Sequence, residues 1–208
     1  IIDNVDFAND KRTYLERKDI RYLRENISNL ENTICEAFYV AKSGRPGPVV
    51  VDLPKDIQND KFSYKSIKVG KLSSYNPVRK PKLEDISMAL DMLSKAKRPL
   101  IYAGGGVINS GMKATNNLRK LTNSLNIPIT LTLMGLGAVS ADNKNFLGML
   151  GMHGTYEANM AMHDCDVMLC VGARFDDRIT GKVDEFSPES KKIHVDIDPS
   201  SIGKNIKV

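Results

Sequence analysis

Helical patterns alternate with short apolar runs from residue 82 onward, and this alternation constrains the fold more than any other feature of the chain. The spacing predicts a helix at 83–96, where five apolar side chains share one face. The elements predicted after it are strand 99–103, a glycine turn at 104–106, helix 111–125, strand 128–133, a glycine-rich loop at 135–154, helix 155–163, strand 166–171 and strand 193–197. Short apolar strands separated by helices are typical of a parallel sheet that is covered on both faces. The sequence therefore predicts an α/β fold with helices on both faces of its sheet.

The first third of the chain carries a separate and smaller α/β pattern. A helix is predicted at 27–42 and a strand, expected to be buried on both faces, at 49–53. The following residues up to Lys80 lack periodicity and are rich in Lys, Ser and Asn, as linkers between domains often are. The predicted domain boundaries are a partial α/β domain over 1–57, a linker over 58–80 and a main domain over 81–208 that is truncated at its C-terminus.

Composition narrows the classes of partner. The net charge is +5, but the basic surplus is dispersed among acids and tryptophan is absent, so no nucleic-acid partner is expected. No apolar run is long enough to span a membrane and no signal segment stands at the start, so we expect a cytoplasmic protein without a membrane partner. Because the chain begins at Ile1 and not at Met, we expect it to be a piece of a longer protein.

Cysteine and histidine usage argues against a metal site or a disulfide. The cysteines Cys35, Cys165 and Cys170 form no C-x-x-C pair, and an odd number of them is typical of free thiols in a reducing compartment. The three histidines have no metal-ligand spacing. Of these, His194 lies within a predicted strand and is expected to be packed. His153 precedes a predicted helix, and a structural role is favoured over a catalytic one.

A run of glycines, Gly104-Gly105-Gly106, follows the strand at 99–103 and precedes a helix. Glycine in this position lets backbone amides approach a phosphate at a helix N-terminus. The run departs from the G-x-G-x-x-G pattern of nicotinamide sites, because Asn109 occupies the third glycine position. Two interpretations remain open: an adenine-nucleotide loop, or a tight turn between strand and helix.

Polar residues follow several other predicted strands. Arg174, Asp176, Asp177 and Arg178 come after strand 166–171, and Asp196 ends the last strand. The arginine fork suits phosphates and adenine or flavin edges, although a solvated charged loop is the simpler alternative. Ligands of open parallel sheets bind outside the carboxyl ends of the strands. Several such loops at one edge favour an adenine-dinucleotide-type site.

Three stretches of sequence resemble the catalytic (large) subunits of acetolactate synthases, which are thiamine diphosphate-dependent enzymes. The first begins at Ala37-Phe38-Tyr39-Val40-Ala41-Lys42-Ser43-Gly44-Arg45-Pro46-Gly47-Pro48-Val49 and extends through Pro54 to Gln58. The second is Thr132-Leu133-Met134-Gly135-Leu136-Gly137-Ala138, and the third spans 147–181. Residues 1–26 match poorly. The resemblance implies the tail of a pyrimidine-binding domain over 1–57 and a Rossmann-like central domain that binds FAD over 81–208.

The resemblance also implies an activity, cofactors and partners. The family joins two pyruvates, or pyruvate and 2-oxobutanoate, with loss of carbon dioxide, in valine, leucine and isoleucine biosynthesis. Its members work as homodimers or homotetramers, commonly with a regulatory small subunit. Thiamine diphosphate, Mg²⁺ and FAD are the cofactors, and FAD takes no net part in redox chemistry. The relatives weighed against it are another thiamine enzyme, such as pyruvate oxidase, glyoxylate carboligase or oxalyl-CoA decarboxylase, and a non-catalytic adenine-nucleotide-binding module.

Site residues carry over from the family by position. The positions that match its flavin contacts are Arg45, Gly104, Gly105, Gly106, Asn109, Thr132, Leu133, Met134, Leu150, Gly151, Met152, His153, Gly154, Thr155, Gly172, Ala173, Arg174, Asp176, Arg178, Asp196 and Ile197. Met152, Asp177 and Arg178 match positions near the substrate channel. The family's catalytic glutamate lies before Ile1 and its metal motif beyond Val208. No catalytic residue and no metal ligand is therefore expected here, and the 208 residues alone are expected to make no acetolactate.

Overall fold

A computed structural model describes residues 20–22, 27–64 and 80–208. The chain divides into two compact units, 1–79 and 80–208. The charged N-terminal segment and the predicted linker lie largely outside the described residues. The assignment of the first unit to a pyrimidine-binding domain stays a prediction.

The described part of the first unit holds one α-helix and two short paired strands. Helix α1 (Leu30–Lys42) follows a 3₁₀ turn, and strand β1 (Ile20–Tyr22) pairs in parallel with β2 (Val50–Asp52). The predicted helix and strand therefore both form. The expectation that the strand is buried on both faces is wrong, because Val50 is 56% exposed. A two-stranded ribbon has too few neighbours to cover both of its faces.

The second unit contains the predicted alternation of strands and helices. Its strands are β3 (Pro99–Ala103), β4 (Ile129–Leu131), β5 (Phe146–Met149), β6 (Val167–Val171) and β7 (Lys191–Val195). Its helices are α2 (Leu83–Lys95), α3 (Gly105–Asn109), α4 (Met112–Leu125), α5 (Tyr156–Asp164) and α6 (Asp177–Thr180). Short 3₁₀ turns lie at Leu133–Gly135 and Val183–Glu185.

All five strands of this unit run parallel, in the order β5-β4-β3-β6-β7. The chain proceeds outward from β3 through β4 to β5, and then returns to the other side of β3 for β6 and β7. The direction of progress therefore reverses between β3 and β6. Crevices outside the carboxyl ends of strands at such a reversal are where open α/β sheets bind ligands.

The core lies on both faces of the sheet, as predicted. Leu100 and Tyr102 of β3 belong to one buried apolar cluster, while Ile101 and Ala103 belong to another. Because successive side chains of a strand point to opposite faces, the two clusters cover opposite sides of the sheet. The fold class predicted from the alternation is confirmed by this parallel α/β sheet.

Two local predictions need correction. The glycine-rich loop predicted at 135–154 contains a strand, β5. Gly148 interrupts the apolar pattern of this strand, so the pattern did not predict it, and in the structure this glycine has a φ of +95°. The glycine turn at 104–106 is instead the start of helix α3. The apolar face of α2 forms, but Leu83 and Leu90 are exposed by 76% and 58%.

Candidate functional site

The ends of β3 and β6 meet backbone to backbone at the point where the strand order reverses. The N–H of Gly104 donates to Val171 O at 2.9 Å, and the N–H of Gly106 donates to Gly172 O at 3.0 Å. A Cβ on Gly104 would contact Gly172 O, and one on Gly106 would lie 2.7 Å from Gly172 Cα. The close packing of the two loops therefore explains why glycine is needed at positions 104 and 106, whether or not a ligand binds here.

The loop after β4 joins this contact from the other side of β3. The N–H of Thr132 donates to Ala103 O at 2.9 Å, and the Thr132 hydroxyl accepts from the N–H of Gly135 at 3.0 Å. A Cβ on Gly105 would lie 3.0 Å from Met134 Cβ. Two large apolar side chains on this loop, Leu133 and Met134, are 68% and 76% exposed. Turn hydrogen bonds thus hold apolar surface outward at the carboxyl edge.

The loop after β5 is closed by Asn159 of helix α5. Its Oδ1 accepts from the N–H of Gly151 at 3.1 Å, and its Nδ2 donates to Gly151 O at 3.1 Å and to Thr155 O at 2.9 Å. The N–H of Met152 donates to Arg178 O at 3.0 Å, which joins this loop to the one after β6. The Met152 side chain is 65% exposed.

Inward and outward side chains alternate along the loop after β6. Ala173 and Phe175 are buried, and the Phe175 ring lies 6.0 Å from that of Tyr102. Arg174 is exposed instead, and its guanidinium donates to the Asp176 carboxylate at 3.0 Å. The same alternation separates the two faces of an extended strand. The buried residues anchor the loop, and the charged ones leave the sheet edge.

The loop after β7 lies beside the loop after β6. The N–H of Gly172 donates to Val195 O at 2.8 Å, and the His194 ring bonds Ala173 O at 2.8 Å through Nε2. The Asp196 carboxylate accepts from the N–H of Asp198 at 2.9 Å, which fixes its orientation. The five carboxyl-end loops are therefore connected to one another by direct contacts.

Not every predicted contact residue presents its side chain to this edge. The side chains of Leu150 and Ala173 lie in the core. Asn109 ends α3 and is exposed, as are His153 and Ile197. Gly154 is packed against the backbone at Met149, and Thr155 caps α5 by accepting from the N–H of Ala158 at 3.2 Å. Arg45 belongs to the first unit.

Sequence reasoning missed a set of residues that hold these loops from below. Their common feature is a side chain that hydrogen-bonds or packs against a loop backbone: Tyr102, Asn159, Phe175, His194 and Asn205. The signal available for Asn159 was an amide on the inner face of a helix just after a glycine loop. His194 was recognised only as packed, and its side chain is indeed fully buried.

The buried nucleophilic groups near the site are held neutral. Burial raises the pKa of Tyr102 far above its usual range, and the neighbouring Cys170 and Asp176 act in the same direction. Burial likewise raises the pKa of Cys170, whose thiol donates to Ala173 O at 3.3 Å. Both groups therefore serve as hydrogen-bond donors beneath the loop rather than as bases or nucleophiles.

The described residues offer neither a metal site nor a membrane span. Residues 20–22, 27–64 and 80–208 contain no group of three or more His, Cys, Asp or Glu side chains placed to hold a metal ion. Within the same ranges, no helix is long and apolar enough to cross a membrane.

An open cavity lies away from the strand ends, between α4 and the connection from β4 to β5. Its charged lining residue is Arg119, whose guanidinium already donates to Ala138 O at 2.7 Å and to Gly137 O at 3.2 Å. We therefore place the candidate site at the carboxyl edge of the sheet and not in this cavity.

The carboxyl edge suits a flat, partly apolar ligand that also carries anionic groups. Exposed Leu133, Met134 and Met152 offer apolar surface, whereas Arg174 and Arg178 offer planar donors to phosphate or ring edges. Exposed apolar side chains concentrated at one edge indicate a binding surface. An FAD molecule has both kinds of group, so the residues present fit it.

Comparison with known proteins identifies the relatives of this chain. Residues 86–208 match the family model described as "Thiamine pyrophosphate enzyme, central domain". The chain is 46% identical over 189 residues to the acetolactate synthase large subunit of Haemophilus influenzae, covering 90% of this chain and 33% of that protein. It is 49% identical over 187 residues to the subunit of the same name from Buchnera aphidicola subsp. Schlechtendalia chinensis, covering 89% and 32%. It is also 46% identical over 187 residues to the acetolactate synthase isozyme 3 large subunit of Escherichia coli (strain K12), covering 89% of this chain and 32% of that protein. The chain thus spans about a third of the length of these relatives.

Proposed function

Since this chain belongs to the thiamine pyrophosphate enzyme family, whose central domain it contains, we propose that it is part of the catalytic subunit of an acetolactate synthase. The reaction is the decarboxylating condensation of two pyruvates, or of pyruvate with 2-oxobutanoate. Its products are 2-acetolactate and 2-aceto-2-hydroxybutanoate. The family supports thiamine diphosphate as the cofactor of the whole protein, where it supplies the electron sink for decarboxylation. The proposal includes Mg²⁺, a cytoplasmic location, and a homodimer or homotetramer with a regulatory small subunit.

The carboxyl edge of the second unit is proposed to hold FAD. The observation that carries this proposal is the meeting of five loops at one edge of the sheet, on which the side chains of Leu133, Met134, Met152 and Arg174 are exposed. The apolar side chains would support the flavin ring. Arg174 and Arg178 would bind phosphate oxygens or ring edges, and the Asp196 carboxylate would accept from ribose hydroxyls. None of these groups would exchange a proton with substrate.

This assignment gives the residues at the carboxyl edge the role of binding a cofactor, and not a role in catalysis. The site residues bind and orient a cofactor, and the apolar surface around them excludes water from one face of it. Met152, Asp177 and Arg178 are proposed to line the approach of the substrate, because they match positions near the substrate channel of the family. The N–H of Met152 donates to Arg178 O, so the two loops that carry these residues are in contact. Arg45 matches a flavin contact of the family by sequence position only, and this role stays a prediction.

A spectrum and an assay of the full-length protein test the proposal. We expect purified protein to show the visible flavin bands and to form acetolactate from pyruvate with thiamine diphosphate and Mg²⁺. Activity should be lost when FAD is removed and should return when FAD is added. Colourless protein that does not respond to FAD would contradict the flavin site, and a flavoprotein that makes no acetolactate would point to another thiamine enzyme.

A matched pair of variants locates the cofactor. The exposed ion pair of Arg174 with Asp176 resembles that of Lys182 with Glu185, whose atoms are 2.6 Å apart. Exposed pairs of this kind contribute about 0–1 kcal/mol to stability. We expect R174M to weaken FAD binding about tenfold or more and K182M to leave it unchanged. Equal FAD affinities for both variants would contradict the placement of the site.

A further inference from the structure

Three successive backbone carbonyls beneath the loop after β6 are each held by a side chain from another part of the second unit. Ala173 O accepts from His194 Nε2 at 2.8 Å, in addition to the Cys170 thiol. Arg174 O accepts from the Tyr102 hydroxyl at 3.3 Å, and Phe175 O accepts from Asn205 Nδ2 at 2.7 Å. The backbone of this segment is therefore fixed independently of any ligand that its exposed side chains contact.

His194 stands at the centre of this arrangement. It pairs with Cys170 across β6 and β7, and its side chain is fully buried. Its ring meets the Phe175 ring edge-on, with centroids 5.3 Å apart at 73°. The Asp196 carboxylate lies 4.0 Å from His194 Nε2. One imidazole thus contacts the loop after β6 and approaches the carboxylate that begins the loop after β7.

The direction of the short hydrogen bond fixes the tautomer. A carbonyl oxygen only accepts, so Nε2 of His194 carries the proton that it donates to Ala173 O. Among the described residues, none offers a hydrogen-bond partner to Nδ1, which is buried. A buried ring nitrogen left without a partner is not favoured for stability alone. An apolar side chain of similar size would fill this position, but would leave Ala173 O without its strongest donor.

We propose that His194 is a positioning residue for the cofactor loop. Its Nε2–H holds the peptide that joins Ala173 to Arg174, and its ring packs on the buried Phe175. These two contacts set the direction in which Arg174 and Asp176 leave the sheet edge. The inference rests on the proposed function, because it takes residues 172–178 as part of the FAD site.

Two substitutions in the full-length protein separate the hydrogen bond from the packing. In H194Q the side-chain amide keeps an N–H donor near the position of Nε2, whereas H194M keeps much of the volume and removes the donor. We expect H194M to raise the Kd for FAD about tenfold and to change the visible circular dichroism of bound flavin. The FAD affinity of H194Q should stay within about threefold of the wild-type value.

A control variant distinguishes positioning from loss of stability. Ser187 is fully buried, and its hydroxyl donates to Met162 O at 2.6 Å. It lies before β7, towards the amino ends of the strands. We expect S187A to lower the melting temperature, as H194M does, while FAD affinity and flavin circular dichroism stay at their wild-type values.

The outcomes separate this inference from the proposed function. Wild-type affinity and circular dichroism in H194M would overturn the positioning role, as would a loss in H194Q equal to that in H194M. Nitrogen-15 NMR of the wild-type protein should show a proton on Nε2 of His194, and an Nε2 without a proton would overturn the role without any variant. Wild-type protein that binds no FAD would overturn the proposed function itself.

Discussion

Glycines at the strand ends let one backbone approach another. Gly104 and Gly106 of the loop after β3 meet Gly172 of the loop after β6, and a Cβ on Gly135 would lie 2.8 Å from Ala103 O. The sequence offered two interpretations of the glycine run, a phosphate loop and a tight turn. The structure gives these glycines a packing role that stands before any ligand is bound, because the amides of Gly104 and Gly106 already donate to carbonyls.

We expect G104A to destabilise the protein. The new Cβ would contact Gly172 O and lie 2.7 Å from Ala173 Cβ, so β3 and β6 would have to move apart. Overpacking of this kind costs about 1–3 kcal/mol in the free energy of unfolding. Urea denaturation measures it. As a control, G47A should leave the midpoint unchanged, since nothing lies within 4 Å of a Cβ at that glycine. A G104A midpoint equal to the wild-type value would contradict the packing role.

Single buried polar residues are the part of the site that sequence patterns did not reveal. Periodicity reports which positions face the core, and it identified His194 correctly as packed. It cannot report which carbonyl a buried imidazole or amide will bond, because those partners are distant in the chain. Ala173 is 21 positions from His194, and Phe175 is 30 positions from Asn205.

Among the elements, those whose pattern was continuous were predicted well. Strands β3 and β6 are apolar throughout, and their predicted bounds agree with Pro99–Ala103 and Val167–Val171 within one residue. Strand β5 was missed because Gly148 interrupts its apolar run. All four residues of this strand are half-buried, so no alternation of apolar and polar residues marks its two faces. Helix α2 was predicted from its apolar face, but the sequence pattern does not show which part of the protein packs against that face. Pattern therefore predicts an element, but not its neighbours.

Helix α5 depends on one hydroxyl at its start. The Thr155 hydroxyl accepts from the N–H of Ala158 at 3.2 Å and donates to Leu147 O at 2.5 Å. We expect T155V to lower the free energy of unfolding by about 1–2 kcal/mol, because valine keeps the shape but loses both bonds. In T155S the hydroxyl remains, and the loss should stay below about 0.5 kcal/mol. Urea titrations of the two variants that coincide would contradict the cap.

At the scale of the whole molecule, family membership was predicted from three stretches of sequence and is confirmed by the match over 86–208. The strand order was not predicted, since alternation of strands and helices is compatible with several orders. It is the order, with its reversal between β3 and β6, that brings the separate loops to one place. The sequence motifs identified the family. The strand order explains why motifs that are distant in the chain lie close together at one edge of the sheet.

The stability of the molecule should fall in alkali. Burial raises the pKa values of Tyr102, Cys165 and Cys170 above those of the unfolded chain. Above about pH 8.5 the unfolded state therefore loses protons that the folded state keeps, and the free energy of unfolding falls with pH. Each such group contributes up to about 1.4 kcal/mol per pH unit within its window. Lys192, whose pKa burial lowers, acts in the opposite direction.

Urea denaturation between pH 7 and pH 10.5 measures this slope. The variant C170A removes one of the three groups, so its free energy of unfolding should fall less steeply above about pH 8.5 than that of the wild type. Below that pH the two slopes should agree. Identical slopes across the whole range would show that the thiol of Cys170 does not resist ionisation in the folded state.

The position of β3 has a consequence for synthesis on the ribosome. Strand β3 lies in the middle of its sheet, but its partner β6 follows 68 positions later in the chain. At a translation rate of about 5–20 residues per second, β6 is synthesised about 3–14 seconds after β3, and the edge of β3 that pairs with β6 stays open during this time. That open side belongs to an apolar strand, which is the kind of edge that other chains can pair with. The nascent polypeptide is therefore most exposed to chaperones, and to aggregation, while the loops that follow β4 and β5 are being made.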